Sequence, residues 1–173
     1  FINKKIKINF QLFKWFKKKK LIRKFGVSVY DPTTLNKILK KFKIDIIQFP
    51  GNVLDKRFLN KNKLKYYKSL GIELHVRSIF LQGVLVNHDI PTSLKRFSKI
   101  LKKYSNYLIR NKIEPIDFCI SFIKQYKEID KYIFGVNSLR ELEQIINFKS
   151  INIKYLRRNF SFNNKNLIDP RRW

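Results

Sequence analysis

Short runs of β-branched and apolar residues alternate with stretches of helical period along this chain. Runs of this kind between turn signals are typical of strands, and apolar residues at i, i+3, i+4 and i+7 are typical of helices that bury one face. Their regular alternation predicts an α/β architecture with a parallel sheet. The predicted strands are residues 22–29, 44–49, 72–78 and 132–136, and they are apolar on both faces, as expected for strands covered by helices.

Turn and cap residues mark the ends of the predicted helices. Asp31-Pro32 is typical of a helix start, Gly71 of a left-handed helix end, and Asp89 is a candidate N-cap. An incoming helix is predicted over residues 10–20. The stripes expected to be buried are Phe10, Phe13 and Phe16; Leu35, Ile38, Leu39 and Phe42; Leu64, Tyr67 and Leu70; Leu94, Phe97, Leu101, Tyr104 and Leu108; Ile116, Cys119 or Ile120, Ile123 and Tyr126; and Leu139, Leu142, Ile145 and Ile146.

These elements predict the C-terminal half of a TIM (β/α)8 barrel, with parallel strands alternating with helices. We expect residues 1–21 to be the segment of the incoming helix, residues 22–148 to form four βα units, and residues 149–173 to form an extended tail with its last tryptophan packed. The chain begins with Phe1 and contains no methionine, so we expect an N-terminally truncated fragment of one domain.

The composition adds few constraints on function. Thirty-nine Lys and Arg residues against twelve Asp and Glu residues give a net charge of +27, which suits a polyanionic partner. Lys, Asn, Ile and Phe are abundant together, so an AT-rich genome also explains the excess, and we do not favour nucleic acid as the partner. With Cys119 as the only cysteine, no internal disulfide or cysteine-based metal site is possible, and a cytoplasmic setting is expected. No apolar run is long enough for membrane insertion.

The carboxyl ends of the strands carry the most specific signals, since function in an α/β barrel lies there. They read Gly-Val-Ser-Val-Tyr at 26–30, Ile-Gln-Phe-Pro-Gly-Asn at 47–52, Val-Arg-Ser-Ile-Phe-Leu-Gln-Gly at 76–83 and Phe-Gly-Val-Asn-Ser at 134–138. In this order, with the Asp-Pro-Arg-Arg-Trp ending, they resemble the second half of the aldo/keto reductases. The resemblance runs from about Lys17 to Trp173.

The resemblance implies a binding site for NADP or NAD, with the preference between them left open. Ser28 and Gln48 match residues that hydrogen-bond the nicotinamide carboxamide, although Val29 stands where many members have Asn. Arg77 matches the position of the ring that stacks on the nicotinamide, and a guanidinium there favours the reduced, uncharged ring. The remaining implied cofactor residues are Ser78, Phe80 and Gln82 at the pyrophosphate, and Gly135, Val136, Asn137, Arg140, Glu141 and Gln144 at the adenosine phosphate end.

The family's catalytic Asp, Tyr, Lys and His match no position in this chain, so we expect no catalytic residue and no activity from the chain alone. Neither His75, expected to be packed within a strand, nor His88 is a substitute. The expected function is NAD(P)H-dependent hydride transfer to a small aldehyde or ketone. The alternatives are a non-catalytic basic protein that binds nucleic acid or an anionic surface, and a reductase-like regulatory subunit. No metal site is expected, and the substrate and oligomeric state stay undefined.

Overall fold

A computed structural model describes residues 10–87 and 89–173, and its centre is a four-stranded parallel sheet. The strands are paired in chain order, with β1 beside β2, β2 beside β3 and β3 beside β4. Helices connect them, so the predicted α/β class and the partial-barrel architecture are confirmed. The strands are β1 (Gly26–Ser28), β2 (Ile46–Pro50), β3 (Glu73–Arg77) and β4 (Lys131–Tyr132).

The helices follow the predicted order. They are α1 (Phe10–Lys18), α2 (Pro32–Leu39), α3 (Lys61–Ser69), α4 (Ser98–Arg110), α5 (Pro115–Lys124), α6 (Leu139–Ile146), α7 (Ile153–Leu156) and α8 (Lys165–Ile168), with 3-10 turns at Thr92–Phe97 and Pro170–Arg172. Two predicted ends are confirmed: the Asp31 side chain accepts from Thr34 N–H at the start of α2, and Gly71 has a φ of 73° after α3.

The outer strands are shorter than predicted. Before β1, the chain is bonded to Asp45, the residue before β2: Phe25 N–H donates to the Asp45 carboxylate over 3.0 Å, and the Phe25 carbonyl oxygen accepts from Asp45 N–H over 2.9 Å. At Gly26 itself, a Cβ would lie 2.2 Å from the Ile46 carbonyl oxygen, so only glycine allows β1 to approach β2 this closely. At the other edge, Phe134 has left β4 and packs its ring 5.3 Å from that of Phe80.

The prediction that both faces of the sheet are apolar is wrong. Leu74 and Val76 of β3 are fully buried, but Glu73, His75 and Arg77 lie half-buried on the opposite face. Side chains alternate across a strand, so the helices cover one face only. The other face is polar and partly open to solvent.

Two further predictions are wrong. Asp89 is not a helix N-cap, because Pro91 holds that position and the helical segment begins with the 3-10 turn at Thr92–Phe97. The stripe on α6 is not buried: Leu139 and Ile146 are 70% and 67% exposed, since no described element covers that side of the helix. The tail contains the short helices α7 and α8, but Trp173 packs as predicted, donating from Nε1 to the Leu167 carbonyl oxygen.

Candidate functional site

The polar ends of β1 and β2 lie side by side. Ser28 is the register partner of Gln48, and the Ser28 hydroxyl donates to the Gln48 side-chain oxygen over 3.2 Å. Registered partners in a parallel sheet project to the same face, which here is the open, polar one. The two residues predicted to hold a carboxamide are therefore in contact, with the Gln48 amide nitrogen not used in their bond.

Arg77, at the end of β3, reaches across the open face towards β1. Its guanidinium donates to the Ser78 hydroxyl over 3.2 Å and to the Val29 carbonyl oxygen over 3.5 Å. It also lies 4.1 Å from the centre of the Tyr30 ring. Since Val29 is the residue after Ser28, the Arg77 guanidinium is held close to the Ser28 and Gln48 pair.

A second arginine, from the end of the chain, stacks on the same tyrosine. The Arg171 guanidinium lies 3.4 Å from the Tyr30 ring centre and donates to both carboxylate oxygens of Asp169. Asp169 is only 3% exposed, and its hydrogen bond with Arg171 lowers the pKa of its carboxyl group. The Asp-Pro-Arg-Arg-Trp ending thus supports Tyr30, the residue on whose ring the Arg77 guanidinium lies. The position of this ending in the sequence does not reveal such a role.

A cleft of about 390 Å3 lies between the loop after β3 and the segment after β4. The rings of Phe80 and Phe134 face each other in its lining. Seven of the predicted cofactor residues line it together: Arg77, Ser78, Phe80, Gln82, Gly135, Val136 and Asn137. Ser28, Gln48, Arg140, Glu141 and Gln144 are not part of that lining.

The backbone of this cleft presents hydrogen-bond donors. The N–H groups of Gln82, Gly83, Gly135 and Val136 donate to no other described residue. Gln82 and Gly83 have left-handed backbones, with φ values of 54° and 84°, and no atom lies within 4 Å of the position of a Cβ on Gly135. Backbone N–H groups that converge on a concave surface are suited to anions.

The start of α6 forms the far end of the cleft. Ser138 is its N-cap and accepts from Glu141 N–H, while the Glu141 carboxylate accepts from Asn137 N–H over 2.7 Å. Because of this reciprocal capping, the Asn137 N–H at the helix start is already bonded to the Glu141 carboxylate. Arg140 and Gln144 are exposed on the same helix.

Asn52 connects the loops after β2 and β3. Its amide nitrogen donates to the Ser78 carbonyl oxygen, and its side-chain oxygen accepts from the N–H groups of Leu54 and Asp55. Asp55 is fully buried and forms a two-point ion pair with Arg57. Asn52 and Arg57 therefore have structural roles in holding these loops.

The other reactive side chains have structural partners. His75 Nε2 lies 2.8 Å from Glu73 Oε1, as expected for a satisfied strand histidine. Cys119 is buried beside the Tyr104 hydroxyl, and burial raises the pKa of its thiol to about 12. The prediction for His88 lies outside the described residues. Residues 10–87 and 89–173 contain no group of His, Cys, Asp or Glu that could hold a metal ion.

In residues 10–87 and 89–173, no helix combines the length and the apolar character that crossing a membrane requires. The longest, α4, has 13 residues.

Solved structures of several reductases share this fold. Aldo-keto reductase AKR11C1 from Bacillus halodurans, in its apo form, superposes with a TM-score of 0.70 at 16% identity, over 94% of this chain and 59% of that chain. Its holo form superposes with a TM-score of 0.69 at 16% identity, over 94% of this chain and 58% of that chain. Glycerol dehydrogenase AKR11B4 from Gluconobacter oxydans superposes with a TM-score of 0.58 at 15% identity, over 83% of this chain and 49% of that chain. The chain thus spans between 49% and 59% of the length of these proteins.

The sequence itself places the chain in a family. A search of curated proteins found no significant match. The sequence model of the aldo/keto reductase family, however, matches residues 7–155, which is well over half of the chain and contains all four strands. This chain therefore belongs to the aldo/keto reductase family.

Proposed function

We propose that this chain forms the cofactor-binding part of an NAD(P)H-dependent oxidoreductase that reduces a small aldehyde or ketone. The observation that carries the proposal is the cleft at the carboxyl ends of β3 and β4, whose lining combines a guanidinium, two aromatic rings and backbone N–H groups that donate to none of the residues the structure describes. When bound, the cofactor supplies the hydride for this reduction. The residues of the chain hold and orient it.

The donors of the cleft and of the neighbouring strand ends suit a dinucleotide. A pyrophosphate needs several hydrogen-bond donors, and the N–H groups of Gln82, Gly83, Gly135 and Val136 donate to no other described residue, whereas Asn137 N–H is already bonded to the Glu141 carboxylate. A carboxamide needs both a donor and an acceptor, which the Ser28 hydroxyl and the Gln48 amide offer. Between these two groups, the planar guanidinium of Arg77 provides a surface on which a heteroaromatic ring can stack.

The chain binds and orients the cofactor but does not complete the reaction. Carbonyl reduction needs a proton at oxygen as well as a hydride at carbon, and the family resemblance assigns proton donation to residues that match no position here. The open, polar face of the sheet, where Gln48, His75 and Arg77 lie half-buried, is where the carbonyl substrate would meet the cofactor. We infer that the acid reaches this face from outside the chain.

Isothermal titration calorimetry with NADH and with NADPH tests the proposal. We expect saturable binding of at least one of them, and an affinity about tenfold lower in Arg77→Ala, which corresponds to about 1.4 kcal/mol. The matched control is Arg96→Ala, which removes the same charge from an exposed arginine that contacts Phe97 in another part of the chain. Absence of saturable binding, or an equal loss in both variants, would contradict the proposal.

A further inference from the structure

We propose that Tyr30 is the positioning residue for Arg77, and that the end of the chain braces it through Arg171. The inference rests on the proposed function, because it concerns how the nicotinamide half of the cofactor is recognised. It goes beyond that proposal by making nicotinamide recognition depend on Tyr30 and Arg171, to which the proposed function assigns no role.

The first argument concerns what fixes the Arg77 guanidinium. Its hydrogen bonds to Ser78 and to the Val29 carbonyl are 3.2 and 3.5 Å long, and the second is at the limit for such a bond. An arginine side chain has several rotatable bonds, so two long hydrogen bonds leave it substantial freedom. The Tyr30 ring, 4.1 Å away, supplies a flat surface that holds the guanidinium plane by a cation–π contact.

The second argument concerns what fixes Tyr30. Its ring is in contact with a second guanidinium, that of Arg171, at 3.4 Å. Arg171 is in turn held by two short hydrogen bonds to the carboxylate of Asp169, which is almost completely buried. The chain end beyond it is anchored by Trp173, which donates to the Leu167 carbonyl oxygen. Tyr30 therefore has a rigid support that is independent of Arg77.

The third argument concerns charge. Two cations around one ring repel each other, and this repulsion would displace the more mobile of the two. Asp169 neutralises Arg171 directly, so Arg171 can support the ring without an uncompensated charge beside Arg77. The arrangement leaves Arg77 as the group whose positive charge is directed to the open face.

The test compares a complete cofactor with one that lacks nicotinamide. The probes are ADP-ribose and NADH, or their 2′-phosphorylated counterparts if NADPH binds more tightly. The dissociation constant of ADP-ribose divided by that of the complete cofactor gives a ratio that measures what the nicotinamide half adds to binding. We expect Tyr30→Leu to reduce this ratio three- to tenfold, as loss of a partly desolvated cation–π support predicts. Tyr30→Phe keeps the ring and should keep the ratio.

Two further variants distinguish positioning from a general effect on folding. Arg171→Gln removes the brace but keeps the ring, so it should lower the ratio less than Tyr30→Leu does. If Tyr30 acts through Arg77, the double variant with Arg77→Ala should lose no more than Arg77→Ala alone. Thermal melting of each variant checks that the fold is retained.

The outcomes separate the two proposals. If the wild-type chain binds neither the complete cofactor nor ADP-ribose, the proposed function fails. If it binds both, and the ratio is unchanged in Tyr30→Leu and in Arg171→Gln, or the losses from Tyr30→Leu and Arg77→Ala are additive, only the positioning role of Tyr30 is overturned.

Discussion

Replacing Asn52 by alanine should destabilise the chain more than its small size suggests. Asn52 is 1% exposed, and its side chain makes three hydrogen bonds of 2.8 to 2.9 Å with backbone groups of Ser78, Leu54 and Asp55. Alanine can make none of them. The N–H groups of Leu54 and Asp55 would then be buried without an acceptor, while the carbonyl of Ser78 would keep the Leu81 N–H as its donor.

The magnitude follows from these two buried donors. Each buried donor that loses its partner costs roughly 1–3 kcal/mol. Asn52→Ala should therefore lower the free energy of unfolding by about 3 kcal/mol, which is a large part of a small domain's stability. Because Ser78 begins the loop that lines the cofactor cleft, the same variant should also weaken cofactor binding.

Asn60→Ala is a matched control. Asn60 is exposed, and its side chain caps α3 by accepting from Lys63 N–H. Loss of such a cap costs about 1 kcal/mol. Urea denaturation followed by tryptophan fluorescence measures both variants. An Asn52→Ala destabilisation no greater than that of Asn60→Ala would refute the reasoning.

Three other predictions concern charge and exposed surface. Glu141→Gln removes the carboxylate that occupies Asn137 N–H, so it should raise the affinity for NADPH about threefold or more relative to NADH in paired titrations; an unchanged ratio would contradict this. Hydrogen bonds from Lys24 and His75 lower the pKa of Glu73 from 4.5 to about 2, so its contribution to stability is present above pH 4.5 and is lost as the pH falls towards 2. Glu73→Gln should therefore make the free energy of unfolding less dependent on pH between pH 2 and 4.5 only, and an equal slope in the variant and the wild type over that range would refute it. The exposed stripe on α6 should drive self-association, so Leu139→Lys should shift sedimentation towards monomer while the equally apolar and exposed Ile109→Lys on α4 should not.

Local chemistry made the order of elements predictable. The Asp31-Pro32 start of α2 and the left-handed Gly71 depend on neighbours within a few residues, and the sequence shows these directly. The family resemblance brought together residues far apart in the chain, and seven of those it named line one cleft.

Properties that depend on distant neighbours were not predictable. The stripe on α6 has the period of a buried face, yet no described element covers it, and periodicity alone cannot reveal a missing neighbour. The support of Arg77 joins residues 30, 77 and 171, which no local pattern relates. The chain before β1 also depends on a distant residue, because Phe25 N–H bonds to the Asp45 side chain and the Phe25 carbonyl oxygen accepts from Asp45 N–H, contacts that the apolar run does not encode.

Hydrogen–deuterium exchange with and without saturating NADH or NADPH tests the central claim most directly. The claim is that the dinucleotide lies in the cleft between residues 77–83 and 133–137, where the N–H groups of Gln82, Gly83, Gly135 and Val136 donate to no other described residue. The account predicts slower exchange in these two segments on cofactor binding, with little change in α4 and α5. Protection confined to other segments, or no protection in these two while binding saturates, would contradict it.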